Sequence, residues 1–424
     1  MFEKLKENKV IYNTARFFYD SSHFFISDIK MMKRKDKKHD VIRICILSQA
    51  TTNWSNIDEV YQNLILNPHF EVYILMIPEF DYSTGSFNLE TADFEGVKNF
   101  HASKHHTNCI EPYQNGKWMD LKKFDFDYLW YERPYSHYLP EPYRIKNTCT
   151  YVKTCYSPYG YEMMNYVFNT SLNIEFFQYL YLFFSDNYVS DAFHKNRSKI
   201  SHALKIRKTI YTGHPVFNNM LKARNDKNIY WNEKDTRLKV IWAPRWTMDV
   251  HLGGSNFLNY KDQMVNYILS HKDTSLVFRP HPLTFKNFIS KGMMTQKEAD
   301  DYLKLYEENE QLNYDHQSEY FSTFWASDVF VGDISSIIPN YFLTGKPIIY
   351  CHTGSIDDND VMKKIFSVSY HADSFEDVER ILDDLRNGID PLKEKRNVLK
   401  DTLFPAKYTK EVAKNIICAL EDNA

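Results

Sequence analysis

The sequence predicts an α/β protein built from two doubly wound, Rossmann-like domains. Short apolar runs typical of buried strands alternate with amphipathic helical stretches along most of the 424 residues. This alternation is typical of a parallel sheet covered by helices on both faces. Domains usually hold ~100–200 residues, so a chain of this length is expected to form two. We expect a basic amphipathic segment over 1–40, a first domain over 41–204 and a second over 205–424, with a cleft between the domains.

The first domain is predicted from apolar runs at 41–47, 70–77 and 125–131, with a helix over 57–65. Two further runs, at 149–153 and 179–185, are expected to be strands or strand ends. A helix is expected over 186–196.

In the second domain the strand pattern is clearer. Strands are predicted at 239–244, at the start of 275–282, at 328–333 and at 346–351. Between the first two, the stretch FLNYKDQMVNYILS carries an apolar helical face: Phe257, Tyr260, Met264, Tyr267 and Ile268. Three helices are expected to follow, around 374–387, 391–402 and 409–422.

Composition excludes several classes of function. The formal net charge is -3, so no nucleic-acid partner is expected. No run approaches the ~18 apolar residues of a membrane-spanning helix, and charges interrupt the first apolar stretches, so no signal peptide is expected. The cysteines form no CxxC pair, which is typical of reduced thiols in a cytoplasmic protein: Cys45, Cys109, Cys149, Cys155, Cys351 and Cys418.

Residues 1–40 mix aromatic and basic side chains. Six of the nine positions from 30 to 38 are basic: Lys30, Lys33, Arg34, Lys35, Lys37 and Lys38. One interpretation is a helix lying on an anionic membrane surface, at the inner face of the cell membrane. The other is a solvated basic linker beside a helix packed on the domain.

The first candidate site motif is Arg279-Pro280-His281-Pro282, directly after a predicted strand. The prolines stiffen the turn and hold the side chains between them in a fixed direction. An Arg fork suits a phosphate, and a His supplies a donor or a proton. The alternative is a proline-rich turn with a surface His.

The second motif is Gly332-Asp333-Ile334-Ser335-Ser336, which ends another strand and precedes a helix. Pro339 fits only the first helical turn, so the N-cap is expected at Ser335 or Ser336. A helix N-terminus favours anions, although an ordinary cap without a ligand is the alternative. In a parallel sheet all carboxyl ends meet at one edge, so we expect these two turns to converge on one diphosphate.

Two further turns carry candidate ligands. Ala243-Pro244-Arg245-Trp246-Thr247 follows the first strand of the second domain, and the pair Gly253-Gly254 beyond it predicts either a lid or a simple turn. Arg245 is a candidate phosphate ligand. In Gly213-His214-Pro215, His214 is expected either to face the nucleotide or to cap a hinge.

Other site types are not supported. His101, His105 and His106 lack a carboxylate or Cys at ligand spacing, and no DxD-like pair follows a strand, so no metal is expected. No P-loop or dinucleotide fingerprint is present, so no cofactor is expected.

The second half of the chain resembles the CDP-glycerol glycerophosphotransferases of teichoic-acid and capsule synthesis. Their Arg-x-His-Pro strand end matches Arg279-Pro280-His281-Pro282. Their Ser-Asp-(apolar)3-x-Asp-x-Ser-Ser matches the segment from Ser327 to Ser336, and their Lys-Pro-(apolar) matches Lys346-Pro347-Ile348. The resemblance covers roughly 205–420. It implies a GT-B fold, a CDP-linked donor, no required metal, and a lipid-linked or glycan acceptor at the cytoplasmic membrane face.

The chain departs from the family pattern at three places. Arg245 is displaced by two positions from the family's Ala-Pro-Thr-x-Arg, and Gly213-His214-Pro215 lacks the charges of Gly-x-Pro-Arg-x-Asp. The family's Trp-His-Gly, whose His is the expected base, corresponds here to the turn Tyr156–Tyr161. Because a Tyr, with an ordinary pKa of ~10, is a poor base at neutral pH, the candidate bases are Glu132 and Asp58. Tyr156 and Tyr159 are expected on the acceptor side.

The primary hypothesis is an inverting, metal-independent transferase. It moves glycerol phosphate, ribitol phosphate or a related unit from a CDP-linked donor to a surface-glycan or lipid-linked acceptor. Arg279, His281, Asp333, Ser335 and Ser336 would hold and polarise the diphosphate. The alternatives are a nucleotide-sugar glycosyltransferase or epimerase on the same fold, and a degenerate scaffold of a glycan-assembly complex.

Overall fold

The computed structural model describes residues 22–32, 40–81, 85–87, 89, 92–163, 176–197, 203–232, 234–317, 319–354 and 359–424. The chain divides into two compact units. Unit 1 contains the described residues up to Tyr159, those between 167 and 215, and Glu411–Ala424. Unit 2 contains those between 160 and 166 and Val216–Lys410.

Unit 1 is centred on a seven-stranded parallel sheet of order β11-β10-β9-β8-β1-β2-β5. Its strands, with those of two small hairpins, are β1 Ile42–Ser48, β2 Phe70–Met76, β3 Phe80–Asp81, β4 Ser86–Phe87, β5 Cys109–Ile110, β6 Tyr113–Gln114, β7 Lys117–Trp118, β8 Tyr128–Tyr131, β9 Lys153–Tyr156, β10 Leu182–Ser185 and β11 Lys208–Tyr211. The residues of β8, β9 and β10 are buried throughout, as expected for strands covered on both faces.

The helices of unit 1 cover 22–32, Asp58–Leu66, Ala92–Ser103, Ile145–Thr148, Tyr188–Arg197 and Val412–Glu421, with a helical turn at 176–179. The helix Val412–Glu421 belongs to unit 1 although it follows unit 2 in the chain. Tyr128 donates from its hydroxyl to Leu420 O over 2.9 Å, and Asn415 Nδ2 donates to Thr212 O over 3.2 Å. The C-terminal helix therefore completes the first unit.

Unit 2 holds a six-stranded parallel sheet of order β14-β13-β12-β15-β16-β17. Its strands are β12 Leu238–Ala243, β13 Thr274–Phe278, β14 Leu312–Tyr314, β15 Val329–Gly332, β16 Ile348–Cys351 and β17 Tyr370–Ala372. Its helices are Val216–Lys222, Phe257–Ser270, Thr284–Ser290, Gln296–Glu308, Phe321–Ala326, Ile338–Phe342, Asp360–Phe366, Phe375–Arg386 and Lys393–Leu403.

An aromatic stack forms part of the core of unit 2. Phe257 packs on both Trp242 of β12 and Phe278 of β13, with ring centroids 5.7 and 5.6 Å away, and those two rings also contact each other. The predicted apolar face of the helix Phe257–Ser270 is buried, including Met264 and Ile268. This packing fixes the helix against the two strands whose carboxyl ends carry the candidate motifs.

The division of the chain differs from the expected 41–204 and 205–424. The expected boundary precedes β11, but that strand pairs with β10 of the first sheet, so unit 1 continues to Pro215. The run at 149–153, predicted as a strand or a strand end, is mainly a turn after the helix Ile145–Thr148, and β9 starts only at Lys153. In the described ranges, no helix is both long and apolar enough to cross a membrane.

Candidate functional site

Four adjacent strands of unit 2 bring the predicted motifs to one edge of the sheet. In the order β13-β12-β15-β16 all neighbours are parallel, so their carboxyl ends point the same way. The turns after three of these strands carry a group that we call the strand-end cluster: Arg245, His281, Asp333, Ser335 and Ser336. This edge is where open parallel sheets bind ligands.

Asp333 is the buried centre of the cluster. Its side chain is 1% exposed and accepts from Arg245 N over 2.9 Å, from Ser255 Oγ over 3.1 Å, and from Asn256 N and Nδ2 over 3.3 Å. Burial raises the pKa of Asp333 to about 6, while these donors oppose the rise. With both oxygens engaged by the protein, Asp333 ties its own turn to both ends of the connection between β12 and the helix Phe257–Ser270. This corrects its expected role as a direct phosphate ligand.

Arg245 connects the first strand end to the third. Its Nη1 donates to Ile334 O over 2.7 Å, and its backbone N–H binds Asp333. The guanidinium is therefore held beside the Ser335-Ser336 turn. A cation fixed there suits the charge of a diphosphate.

His281 presents a single ring donor. Its Nδ1 accepts from Leu283 N over 3.1 Å, which assigns the proton of the neutral ring to Nε2. Crowding by surrounding atoms and the charge of Arg245 lower the pKa of His281, although the side chain keeps an exposed face. Among the described residues, none accepts from Nε2. The imidazole is thus a neutral donor at pH 7, with its N–H available to a ligand.

Arg279, by contrast, is committed within the protein. Its Nη1 lies 2.5 Å from Oδ2 of the fully buried Asp315, and its Nη2 donates to Gln317 O over 2.9 Å. The guanidinium also lies 4.7 Å from the centroid of the Tyr320 ring. These contacts anchor the turn that carries His281. Arg279 therefore supports the site from within the protein, and the prediction that its guanidinium binds the diphosphate is corrected.

The two serines lie in the turn after β15, ahead of the helix Ile338–Phe342. The helix starts one or two residues later than expected, with Ile337 as its N-cap, and Ser335 Oγ accepts from Ile337 N over a long 3.5 Å. A Cβ placed on Gly160 would lie 3.4 Å from Ser336 Oγ, so the backbone of that glycine closely approaches the serine. Both hydroxyls are partly exposed.

The Gly253-Gly254 pair forms a closely packed turn next to the residues that bind Asp333. Gly254 has a φ of +59°, and a Cβ on it would meet the Thr353 Cβ at 2.8 Å. The pair leads into Ser255 and Asn256, which bind Asp333. These two residues, which sequence reasoning missed, follow the glycines immediately. Of the two alternatives for the pair, the geometry favours the turn over the lid.

In unit 1, Glu132 follows β8 and bonds to the end of β1. Its Oε2 accepts from Gln49 N over 2.8 Å and from Ala50 N over 2.7 Å, while Oε1 is buried without a partner among the described residues. The side chain is 3% exposed, and burial raises the pKa of Glu132 to about 7. It borders a shallow, open depression in the surface that Gln49, Arg133 and Tyr135 also line. A carboxylate in this state can accept a proton near neutral pH.

The remaining predicted residues of unit 1 have different surroundings. Tyr159 donates to or accepts from Tyr135 through its hydroxyl over 2.9 Å, which connects it to the wall of the Glu132 pocket. Tyr156 is 2% exposed and packs on Phe176 and Phe183, so it is a core side chain and not the acceptor-lining residue expected.

Asp58 and His214 have different surroundings, which bear on the roles expected of them. Asp58 accepts from Trp54 Nε1 over 2.8 Å in the first turn of its helix. His214 is 1% exposed, and burial lowers its pKa to about 3. So enclosed a ring has little surface for a nucleotide, which leaves the other alternative, a cap at the hinge, as the prediction for His214.

His101 and His106 are paired with each other. Their Nδ1 atoms lie 2.8 Å apart, and His101 Nε2 lies 3.0 Å from Ser48 Oγ. In the part of the chain that the structure describes, no group of three or more His, Cys, Asp or Glu side chains is placed to hold a metal ion. Metal independence remains a prediction.

Comparison with family models assigns the chain to a known family. The family model of CDP-glycerol:poly(glycerophosphate) glycerophosphotransferase matches residues 159–396, which is more than half of the chain. The matched range contains every member of the strand-end cluster. Among curated proteins, none matches this sequence.

Solved structures establish the fold class. UDP-GlcNAc 2-epimerase from Neisseria meningitidis bound to UDP-GlcNAc superposes with a TM-score of 0.58 at 9% identity, over 90% of this chain and 100% of that one. A glycosyltransferase from Rickettsia africae gives 0.53 at 12% identity, over 91% and 99%. The wall teichoic acid polymerase TagF, in a variant soaked with CDPG, gives 0.54 at 12% identity, over 97% and 96%. The chain has the GT-B fold.

Proposed function

Because the chain belongs to the CDP-glycerol:poly(glycerophosphate) glycerophosphotransferase family, we propose that it transfers glycerol phosphate from CDP-glycerol to a hydroxyl of a cell-wall polymer acceptor. The observation that carries the proposal is the strand-end cluster of unit 2. There the His281 N–H, the Arg245 guanidinium and two serine hydroxyls follow adjacent strands of a parallel sheet. These groups are suited to a diphosphate.

In the proposed reaction, the acceptor oxygen attacks the phosphorus that carries glycerol. The bond from that phosphorus to the bridging oxygen breaks, and CMP leaves with the bonding electrons. Negative charge builds on the departing phosphate, where Arg245 and the Nε2–H of His281 stabilise it. Donors held in place before the reaction need no reorganisation as this charge develops.

Glu132 is the proposed general base. As the acceptor hydroxyl bonds to phosphorus, its proton passes to Glu132 Oε1, the oxygen left without a partner by the Gln49 and Ala50 amides. This assignment takes the place of the family's His, whose motif is absent from the turn Tyr156–Tyr161. Asp58, the other candidate, is only half-buried, whereas burial raises the pKa of Glu132 to about 7, which favours Glu132 as a base near neutral pH.

Location at the inner face of the membrane is part of the proposal. The helix 22–32 exposes Phe25, Ile26 and Met32, at 66%, 50% and 64% of their surface. Lys30 lies on the same helix. Exposed apolar side chains beside a lysine suit a helix at a membrane interface, which would keep the enzyme near a lipid-linked acceptor.

The test is nucleotide release by the full chain. The protein is incubated with a short poly(glycerol phosphate) oligomer and, in turn, CDP-glycerol, CDP-ribitol and UDP-GlcNAc, and free CMP and UDP are measured by mass spectrometry. We expect CMP from CDP-glycerol, in amounts equal to the glycerol phosphate added to the oligomer. UDP release from UDP-GlcNAc alone would replace the proposal with a nucleotide-sugar transferase. Binding of nucleotides without release of any would replace it with a scaffold.

A further inference from the structure

The pocket beside Glu132 contains an arginine, Arg133, that forms no ion pair with any described residue. Arg133 makes one side-chain hydrogen bond, from Nη2 to Gln49 Oε1 over 2.6 Å. In the described part of the chain, no carboxylate lies within ion-pair distance of it, and its remaining guanidinium N–H groups have no hydrogen-bond partner. Burial raises the pKa of Glu132, and the charge of Arg133 is among the groups that oppose that rise.

Gln49 holds this guanidinium in a fixed direction. The Gln49 side chain is 3% exposed, and its Nε2 donates to Pro78 O over 3.1 Å and to Tyr138 O over 3.0 Å. Those two bonds point its Oε1 at Arg133. Because Gln49 sets the orientation of the Arg133 guanidinium, a ligand that binds its other N–H groups does not have to order a flexible side chain.

Arg133 and Glu132 therefore offer two different contacts side by side. The carboxyl has a buried, unpartnered oxygen, and the arginine has free donors that match an oxyanion. A ligand that satisfies both needs a hydroxyl for Glu132 and an anionic group a few bonds away for Arg133.

We propose that Arg133 recognises the phosphate of the acceptor's terminal unit, so that the pocket selects a phosphorylated polyol end. This inference rests on the proposed function, whose acceptor side it specifies. With the phosphate on the Arg133 fork, the neighbouring free hydroxyl of the polyol is delivered to Oε1 of Glu132. Arg133 is thus a binding residue that sets acceptor specificity, and it takes no part in proton transfer.

The experiment measures binding of sn-glycerol 3-phosphate by NMR titration of the full chain. Saturating CDP is present throughout, so that the donor site is filled. Arg133→Gln is expected to weaken binding at least tenfold and Arg133→Lys less, because lysine keeps the charge and loses the fork. Glycerol is expected to bind weakly and equally to all variants. Lys123→Gln is the matched control, since it removes one exposed cation preceding the amino end of β8, the end opposite the pocket.

Native affinity for glycerol 3-phosphate in Arg133→Gln, with CDP binding intact, would overturn the inference. So would equal loss for glycerol, because the effect would then not depend on phosphate. Loss of CDP binding as well would show a general structural effect and would also overturn it. Failure of the proposed function is separate: Arg133-dependent binding of glycerol phosphate would then persist in a protein that releases no CMP from CDP-glycerol.

Discussion

Glu132 shows how burial prepares a side chain for proton transfer. A carboxyl in water has a pKa near 4.3, and burial raises that of Glu132 to about 7. The two backbone amides on Oε2 oppose the rise but keep the group oriented. The result is a base strong enough to accept a hydroxyl proton while still ionised at neutral pH.

The pH dependence of kcat/KM follows from this pKa. A base acts in its ionised form, so kcat/KM for CDP-glycerol should fall about tenfold per unit below pH 7 and level off above it. Glu132→Gln should lower kcat at pH 8 by at least ~100-fold, as is usual for loss of a general base. The fall in kcat/KM below pH 7 should also disappear in this variant. The exposed Glu141→Gln is the control. A wild-type profile that is flat from pH 6 to 8 would rule out Glu132 as the base.

Asp333 shows a limit of reasoning from residue type. An acid at a strand end, beside two serines, is typical of a ligand site, and the sequence predicted one there. The side chain instead points inward, to donors from Ser255 and Asn256 nearly eighty positions away in the chain. Nothing local distinguishes the two orientations. For Arg279 the unseen partner was Asp315, which likewise lies on another strand end.

At the scale of elements, the strands with long apolar runs were predicted well. β1, β2, β8, β12, β15 and β16 each lie on a run recognised in the sequence, because a strand buried on both faces must be continuously apolar. β14 and β17 were missed. Each has only three residues at an edge of the sheet and carries polar side chains, so neither leaves a recognisable pattern.

The helix 22–32 agrees with one interpretation of the N-terminal segment, a helix packed on the domain, and contact with a membrane stays a prediction. It is packed on unit 1 through Asp28, whose Oδ1 accepts from Arg207 Nε over 2.9 Å, and through Ser27, which accepts from Arg207 Nη2 over 2.9 Å. Another face carries the exposed Phe25, Ile26 and Met32. Residues 1–21 and 33–39, with most of the basic group, lie outside the described residues.

Removing apolar side chains from this helix should weaken membrane binding. Phe25→Ser with Ile26→Ser is expected to lower binding to phosphatidylglycerol vesicles at least tenfold at low salt, since each buried side chain contributes ~1.5–3 kcal/mol. The folding temperature should stay the same because both residues are exposed. Leu66→Ser, at a position 81% exposed on another helix, is the control. Wild-type protein that fails to sediment with these vesicles would contradict the proposal.

At the scale of the whole molecule, the two-unit architecture was predictable and its exact division was not. The alternation of strands and helices predicts two parallel sheets. The return of Val412–Glu421 to unit 1 depends on contacts between residues far apart in the chain, such as that of Tyr128 with Leu420 at a separation of 292 positions. Local pattern carries no information on such pairings.

The central claim is a division of labour, in which unit 2 binds the nucleotide donor and unit 1 supplies the base. Its most direct test measures the donor Kd and kcat for two variants of the full chain. His281→Ala should raise the Kd for CDP-glycerol at least tenfold, since a hydrogen bond to a charged group contributes ~1.5–3 kcal/mol. Its folding temperature should be unchanged because the side chain is exposed. Glu132→Gln should keep the native Kd and lose turnover. Native donor affinity and native turnover in His281→Ala would contradict the account.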